Sequence, residues 1–379
     1  MVFLCPSNTE NLLGLNTLSV FFSPAGVLAL APTTDAAPYG SNAAVACERP
    51  IVRKEWRTLR NDEKLEYLAA VQCFLTKPPI TPKAAAPGVG SRFEDLVATH
   101  INQGHFLAWH RWFTAIYERG LRNECGYTGA QPYWDWTLDV ASETDFLASP
   151  VFDPILGFGG NGLLIPLNTS DPLSVPGRTG GGCIQDGPFA NLTVHLGPLS
   201  DLSGNPRCLA RDFSPYFAGR YLGMNQTQVT LSQPDFGWFD RVVEGGPSFD
   251  ASGVHGGGHY GVGGTYGQMG DLYASPSDVS FLRDARVDKR LRTMLPIFYM
   301  HHCNLDRVWW SWQAMDLEAR LTDISGPIYL MDYDNAQGGN VTLDFPLSVG
   351  VNAENVTVGD VMDIRGGVLC YEYDQLYSS

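Results

Sequence analysis

Residues 296–309 run Pro296-Ile297-Phe298-Tyr299-Met300-His301-His302-Cys303-Asn304-Leu305-Asp306-Arg307-Val308-Trp309, and this stretch decides the fold. Phe298, His302, Leu305, Trp309 and then Trp312 recur at three- and four-residue intervals, which sets them on one face of a helix reaching about Met315. The proline that opens the run has a fixed φ already suited to a first helical turn. The face is apolar and aromatic, with an imidazole in its middle. A lone histidine in such a place is ordinarily a satisfied core residue, so its meaning depends on what other histidines the chain brings.

Working outward, His255-Gly256-Gly257-Gly258-His259 spaces two imidazoles four apart, which puts both on one side of a helix. Each intervening glycine costs about 1 kcal/mol against alanine in a helix. A helix here has to be held by tertiary contacts and a metal, and its bare backbone would admit a flat substrate; taken by itself the segment reads as a glycine-rich loop. Earlier, Phe93, Leu96, Val97 and Ile101 keep helical spacing with His100 on their face, and Phe106, Trp109, Phe113, Ile116, Tyr117 and Leu121 do the same with His110 on the inner side. Of the 8 histidines, only His195 stands apart from the early group (His100, His105, His110) and the late group (His255, His259, His301, His302). Imidazole sets without Asp, Glu or Cys at ligand spacing narrow the metals toward copper.

The rest of the chain sets the context. Its 379 residues are 44% apolar and 17% charged, enough for a large core and too apolar for disorder. A net charge of −15, with 25 basic against 40 acidic residues, argues against a nucleic-acid or anionic-membrane partner. No Lys or Arg occurs before Arg49, and residues 12–31 form an apolar run ending in Ala-Leu-Ala. Residues 1–31 are therefore expected to be a secretory signal, 32–46 a linker, and 47–379 one domain with a short strand extension at its end. Asn-x-Ser/Thr sequons begin at Asn168, Asn191, Asn225, Asn340 and Asn355, in keeping with a secreted glycoprotein. With Cys5 lost in the signal, seven of the 8 cysteines remain; up to three disulfides and a free thiol follow, Cys303 being the candidate for the thiol. A further helix is expected from Trp56 until Pro78-Pro79 stops it, residues 126–264 show no clear period, and residues 355–364 and 367–373 alternate as short strands.

His100-Ile101-Asn102-Gln103-Gly104-His105-Phe106-Leu107-Ala108-Trp109-His110-Arg111, with Thr114 and Glu118 beyond it, resembles the first copper signature of the tyrosinase and catechol oxidase family, and residues 296–309 resemble the second. With the glycine-separated histidines between them and Pro132-Tyr133-Trp134-Asp135-Trp136 in place, the resemblance spans residues 47–316. It implies a mainly α fold: a four-helix bundle around a type-3 dicopper site, with long loops and a few short strands. It further implies two copper ions, each held by three histidines, with dioxygen bound between them. His255, His259 and His302 resemble the ligands of the second ion, and His100 and His110 those of the first. His301 is then a neighbour. Asp306 and Arg307 look like residues that orient the ligands, Phe298 like the aromatic wall of the substrate cavity, and Gly256 takes a substrate-side position where tyrosinase-like members often carry Asn.

The implied activity is oxidation of phenols and o-diphenols to o-quinones with dioxygen, catechol oxidase being favoured over tyrosinase because of Gly256. A haemocyanin-like dioxygen carrier and an impaired or copper-free pseudo-enzyme are the rival readings. Two departures from the family pattern keep them open. The chain is shortened between Gln103 and Gly104, so a complete first site would have to use His105, five residues from His110 and off its helical face. Residues 279–295, carrying Arg283, Asp284, Arg286, Asp288, Lys289, Arg290 and Arg292, stand where family members join Asp278 directly to Pro296. A retained short intron and an over-trimmed exon would explain both, and the chain as it stands would bind the first copper weakly.

Overall fold

The run after Trp56 begins as a single 3-10 turn, Trp56–Thr58, and becomes helix α1 only at Asn61–Thr76, where the Glu63 carboxylate accepts from the Arg60 backbone N–H at 2.8 Å. Pro78 and Pro79 follow Lys77 and end it, as expected. Residues 47–100, 106–166, 175–197, 201–246, 248–263, 296–329 and 332–378 are described in this computed structural model. Next come α2 (Arg92–His100) and α3 (Leu107–Cys125), the latter closed by Gly126 in the left-handed conformation at φ 70°, which glycine adopts without strain.

The aperiodic middle of the sequence supplies α4 (Glu143–Leu147), α5 (Pro215–Tyr221), α6 (Met224–Leu231), α7 (Phe236–Glu244) and α8 (Val254–Val262). After it come α9 (Pro296–Ala314) and the short α10 (Leu317–Arg320). Helices α3 and α9 are 19 residues each, about 28 Å long. They are buried on nearly every side, which marks them as the central pair. Tyr117 and Tyr299 stack face to face between them, with centroids 3.5 Å apart.

The strands are short. Strand β1 (Ile51–Arg53) pairs in parallel with the last strand, β8 (Tyr371–Tyr373), Ile51 opposite Tyr371 and Arg53 opposite Tyr373. The antiparallel pairs are β2 (Gly162–Leu164) with β3 (Gly181–Ile184), β4 (Thr193–Val194) with β5 (Arg207–Cys208), and β6 (Pro346–Leu347) with β7 (Val356–Thr357). The alternation over 355–364 therefore yields only β7 and a 3-10 turn at Gly359–Val361. Disulfides Cys47–Cys370, Cys73–Cys125 and Cys183–Cys208 are formed, and Cys303 is the buried free thiol among the described residues. The first of these fastens β1 beside β8. No helix among the described residues is long and apolar enough to cross a membrane. His105 and residues 279–295 lie outside the described residues, as do Asn168 and the signal-like segment.

Strands β1 and β8 are anchored on the central helices by buried charge. Arg53 donates to Glu118 of α3 at 2.6 Å and lies over the Tyr371 ring at 3.5 Å. Asp306 of α9 accepts from Arg111 of α3, from Tyr371 and from Tyr373, each at 2.5 Å. Every member of this group is almost fully buried, so each charge has to be matched locally.

Candidate metal centre

Four helices deliver the histidines. His100 is the last residue of α2, His110 lies in the first turn of α3, His255 and His259 share one side of α8, and His302 points inward from α9. The glycines between His255 and His259 do not break the helix. Gly257 and Gly258 have a packing reason, as does Gly261 further along α8. A Cβ on Gly257 would lie 2.8 Å from both Tyr221 Cβ and Leu222 Cδ2, one on Gly261 3.0 Å from the Ala218 Cβ, and one on Gly258 would run into the His301 ring. Glycine lets α5 and α9 approach α8 more closely than any side chain would permit.

The imidazoles meet in two pairs. His100 Nε2 lies 3.1 Å from His110 Nε2, and His259 Nε2 lies 3.1 Å from His302 Nε2. The pairs adjoin, since the His110 and His302 rings stack with centroids 4.1 Å apart. One ligand atom each from His255, His259 and His302 falls within 4.8 Å of the others, all three residues being buried. His110 Nδ1 lies 2.8 Å from the Phe106 carbonyl. A carbonyl only accepts, so Nδ1 carries the proton and Nε2 turns a lone pair toward His100.

Desolvation first, and neighbouring histidines second, hold His255, His259 and His302 well below the usual imidazole range, so they are neutral, the form that binds a metal. Nδ1 of His255 and Nδ1 of His259 are buried without a hydrogen-bond partner. Buried neutral rings whose nitrogens converge at 3.1 Å suit a cation. Two nitrogens at that separation subtend about 100° at an ion with ordinary metal–imidazole bonds of about 2 Å. The residues present therefore fit a metal, and the all-imidazole donor set fits copper.

Phe298 is fully buried between the pairs, its ring centroid 4.2 Å from that of His302 and 4.9 Å from that of His100. Gly256 turns its missing side chain toward the Ser252 hydroxyl. Asp306 and Arg307 reach away from the imidazoles. The partners of Asp306 are those given above, while Arg307 donates to the Gln375 carbonyl at 2.7 Å and to Asp135 at 2.9 Å and lies over the Tyr377 ring. Whatever they transmit to His302 passes through the placement of α9. His301 is buried, with Nε2 3.0 Å from the His255 carbonyl, and burial pushes its imidazole down to about 3. His195 lies elsewhere, paired with Glu94 at 2.9 Å.

Phe106 escaped the sequence reading as a site residue. Its carbonyl sets the His110 tautomer, and its ring covers His255 with centroids 4.4 Å apart. The available signal was its place one helical turn before His110.

A histidine-lined metal centre inside a mainly helical domain is the class that fold and site define. The family model for the common central domain of tyrosinase matches residues 70–283 and 294–315, with its break inside the charged stretch 279–295. Curated relatives include the N-acetyl-6-hydroxytryptophan oxidase ivoB of Emericella nidulans, 34% identical over 368 residues that cover 86% of this chain and 93% of that protein. Tyrosinase P of Aspergillus terreus is 31% identical over 359 residues, 87% of this chain and 94% of its own length. Among solved structures, a polyphenol oxidase variant from Thermothelomyces thermophila superposes with a TM-score of 0.72 at 37% identity, covering 86% of this chain and 89% of the other. The chain belongs to the tyrosinase family of type-3 dicopper oxidoreductases, which act on phenols with dioxygen.

Proposed function

We propose that this chain is a secreted catechol oxidase, converting o-diphenols to o-quinones at a pair of copper ions. His255, His259 and His302 would hold one ion, and His100 and His110 would contribute to the other. The observation that carries the reading is the pair of 3.1 Å approaches between buried Nε2 atoms in adjoining groups. When bound, copper supplies the redox chemistry by which two electrons pass from the catechol to dioxygen as the quinone leaves. The protein keeps its imidazoles neutral by burial, aims His110 through the Phe106 carbonyl, and excludes water with Phe106 and Phe298.

Gly256 supports the choice of o-diphenols. The Ser252 hydroxyl occupies the space in which a side chain at 256 would begin, so residue 256 itself brings no side-chain amide beside the first ligand of α8. The relationship to an oxidase of a hydroxylated tryptophan supports a second reading, a tailoring oxidase that acts on a larger phenolic metabolite. Secretion is supported by the three disulfides and by the exposure of Asn191, Asn225, Asn340 and Asn355.

The test is copper per chain together with quinone formation from 4-methylcatechol, p-cresol and a hydroxyindole. Bound copper with rapid turnover of the catechol and little of the cresol is expected. Copper without turnover would replace the oxidase by a carrier, and a copper-free chain would make it a pseudo-enzyme. Sequencing the message across the codons for residues 103–104 and 279–295 accompanies the test.

A further inference from the structure

His301 sits next to a proposed ligand in the chain yet points elsewhere. Its ring lies between α9 and α8, parallel to the His255 ring within 5° with centroids 6.2 Å apart, and the Trp136 ring centroid is 5.6 Å away at an interplanar angle of 67°. Nε2 is 3.0 Å from the His255 carbonyl oxygen. That oxygen can only accept, so Nε2 bears the proton and donates it across the helix interface. A helical carbonyl has a second lone pair to offer, so α8 need not give up a bond of its own. On the other side of the contact the same ring fills the space that Gly258 leaves open, and any Cβ at 258 would strike it.

We propose that His301 is a positioning residue for the second ion: its Nε2–H holds the His255 carbonyl, and its ring, seated on Gly258, fixes α8 against α9 where His259 and His302 meet. The proposal rests on the reading of His255, His259 and His302 as ligands of one ion. It explains why two adjacent histidines on α9 face different ways, one toward the centre and one toward the backbone that carries the other two ligands. It also explains Gly258, which faces the ring rather than any open space.

Two sets of variants of the full chain test it. Copper affinity is measured by chelator competition on His301→Gln, whose amide can donate from nearly the same place as Nε2, and on His301→Leu, which cannot donate. Loss of an outer partner of a metal site typically weakens binding about 10–100-fold, and that loss is expected for Leu, with Gln close to the unaltered chain. Equal loss in both variants, or none in Leu, overturns the proposal. The second set is read on copper-free protein by thermal unfolding: Gly258→Ala should lower Tm by several degrees in the unaltered background and by much less alongside His301→Ala, which removes the ring. Additive shifts overturn the ring contact. An unaltered chain that takes up no copper overturns the ligand reading and the positioning role with it, while the copper-free cycle still reports whether the ring and Gly258 are coupled.

Discussion

Replacing Asp306 by Asn removes one buried negative charge and almost no volume. Asp306 Oδ1 accepts from Arg111 at 2.5 Å, and Oδ2 accepts from Tyr371 and Tyr373 at 2.5 Å, with an Arg53 nitrogen 3.5 Å away. The tyrosine hydroxyls can rotate to accept from the new amide, and Arg53 keeps Glu118 at 2.6 Å. Arg111 is left with neutral acceptors only, the carbonyls of Val361 and Met362 and the Gln313 amide oxygen. Breaking a buried pair costs about 3–5 kcal/mol; the surviving partners place this variant near the lower end, about 3 kcal/mol. An unfolding entropy of about 0.7 kcal/mol/K for a domain this size converts that to about 4 °C in Tm. The assay is calorimetry of copper-free protein, with Arg111→Met and the double variant completing a cycle whose coupling should exceed about 1 kcal/mol. A shift under about 1 °C, or additive effects, would refute the charge-anchor account. Unchanged copper-free stability combined with weakened copper binding would instead make Asp306 a direct orienter of the imidazoles.

Burial raises the Glu55 carboxyl from 4.5 to about 7, against the opposing pull of Arg57, and its Oε1 is buried without a partner. Since the folded value is the higher one, the stability this group contributes is complete below pH 4.5 and is lost as pH rises toward 7, up to about 3 kcal/mol; Glu55→Gln should flatten unfolding curves across that window, and an unchanged pH slope would count against the shift. Burial likewise pushes the Cys303 thiol up to about 12, so iodoacetamide at pH 8 should leave it unmodified in native protein and label it after denaturation; native labelling would contradict the burial. Gly257→Ala gains about 1 kcal/mol of helix propensity but forces Tyr221 and Leu222 outward, an overpacking of about 1–3 kcal/mol; a net loss in chemical denaturation is expected, and a gain would show that α5 yields freely. Removing the Cys47–Cys370 link, whose cysteines are 323 residues apart, with two serines should lower stability by about 5 kcal/mol, and an unchanged denaturation midpoint would mean that β1–β8 pairing alone holds the ends.

Much of this was legible in the sequence for a physical reason. Periodicity survives wherever a helix buries one face or all of them, so α2, α3 and α9 and their inward histidines could be placed from the spacing of Phe93 to His100, Phe106 to Leu121 and Phe298 to Trp312. The odd count of cysteines without Cys5 and the place of Cys303 directly after His301 and His302 likewise pointed to it as the free thiol. What spacing could not carry was any choice made by a partner distant in the chain. Four glycines in α8 argue against a helix until Tyr221 and Leu222, His301 and Ala218 are seen where side chains at 257, 258 and 261 would be. Asp306 and Arg307 look like neighbours of the ligands in one dimension, and only the return of the chain through Tyr371, Tyr373 and Tyr377 turns them toward the other side of α9. Sequence alone determined that α2, α3 and α9 carry imidazoles on their buried faces, because that depends on local geometry. Tertiary structure decided which nitrogens meet, which ring keeps its proton for a backbone carbonyl, and where each buried charge is matched, because those depend on contacts between residues up to about 320 positions apart.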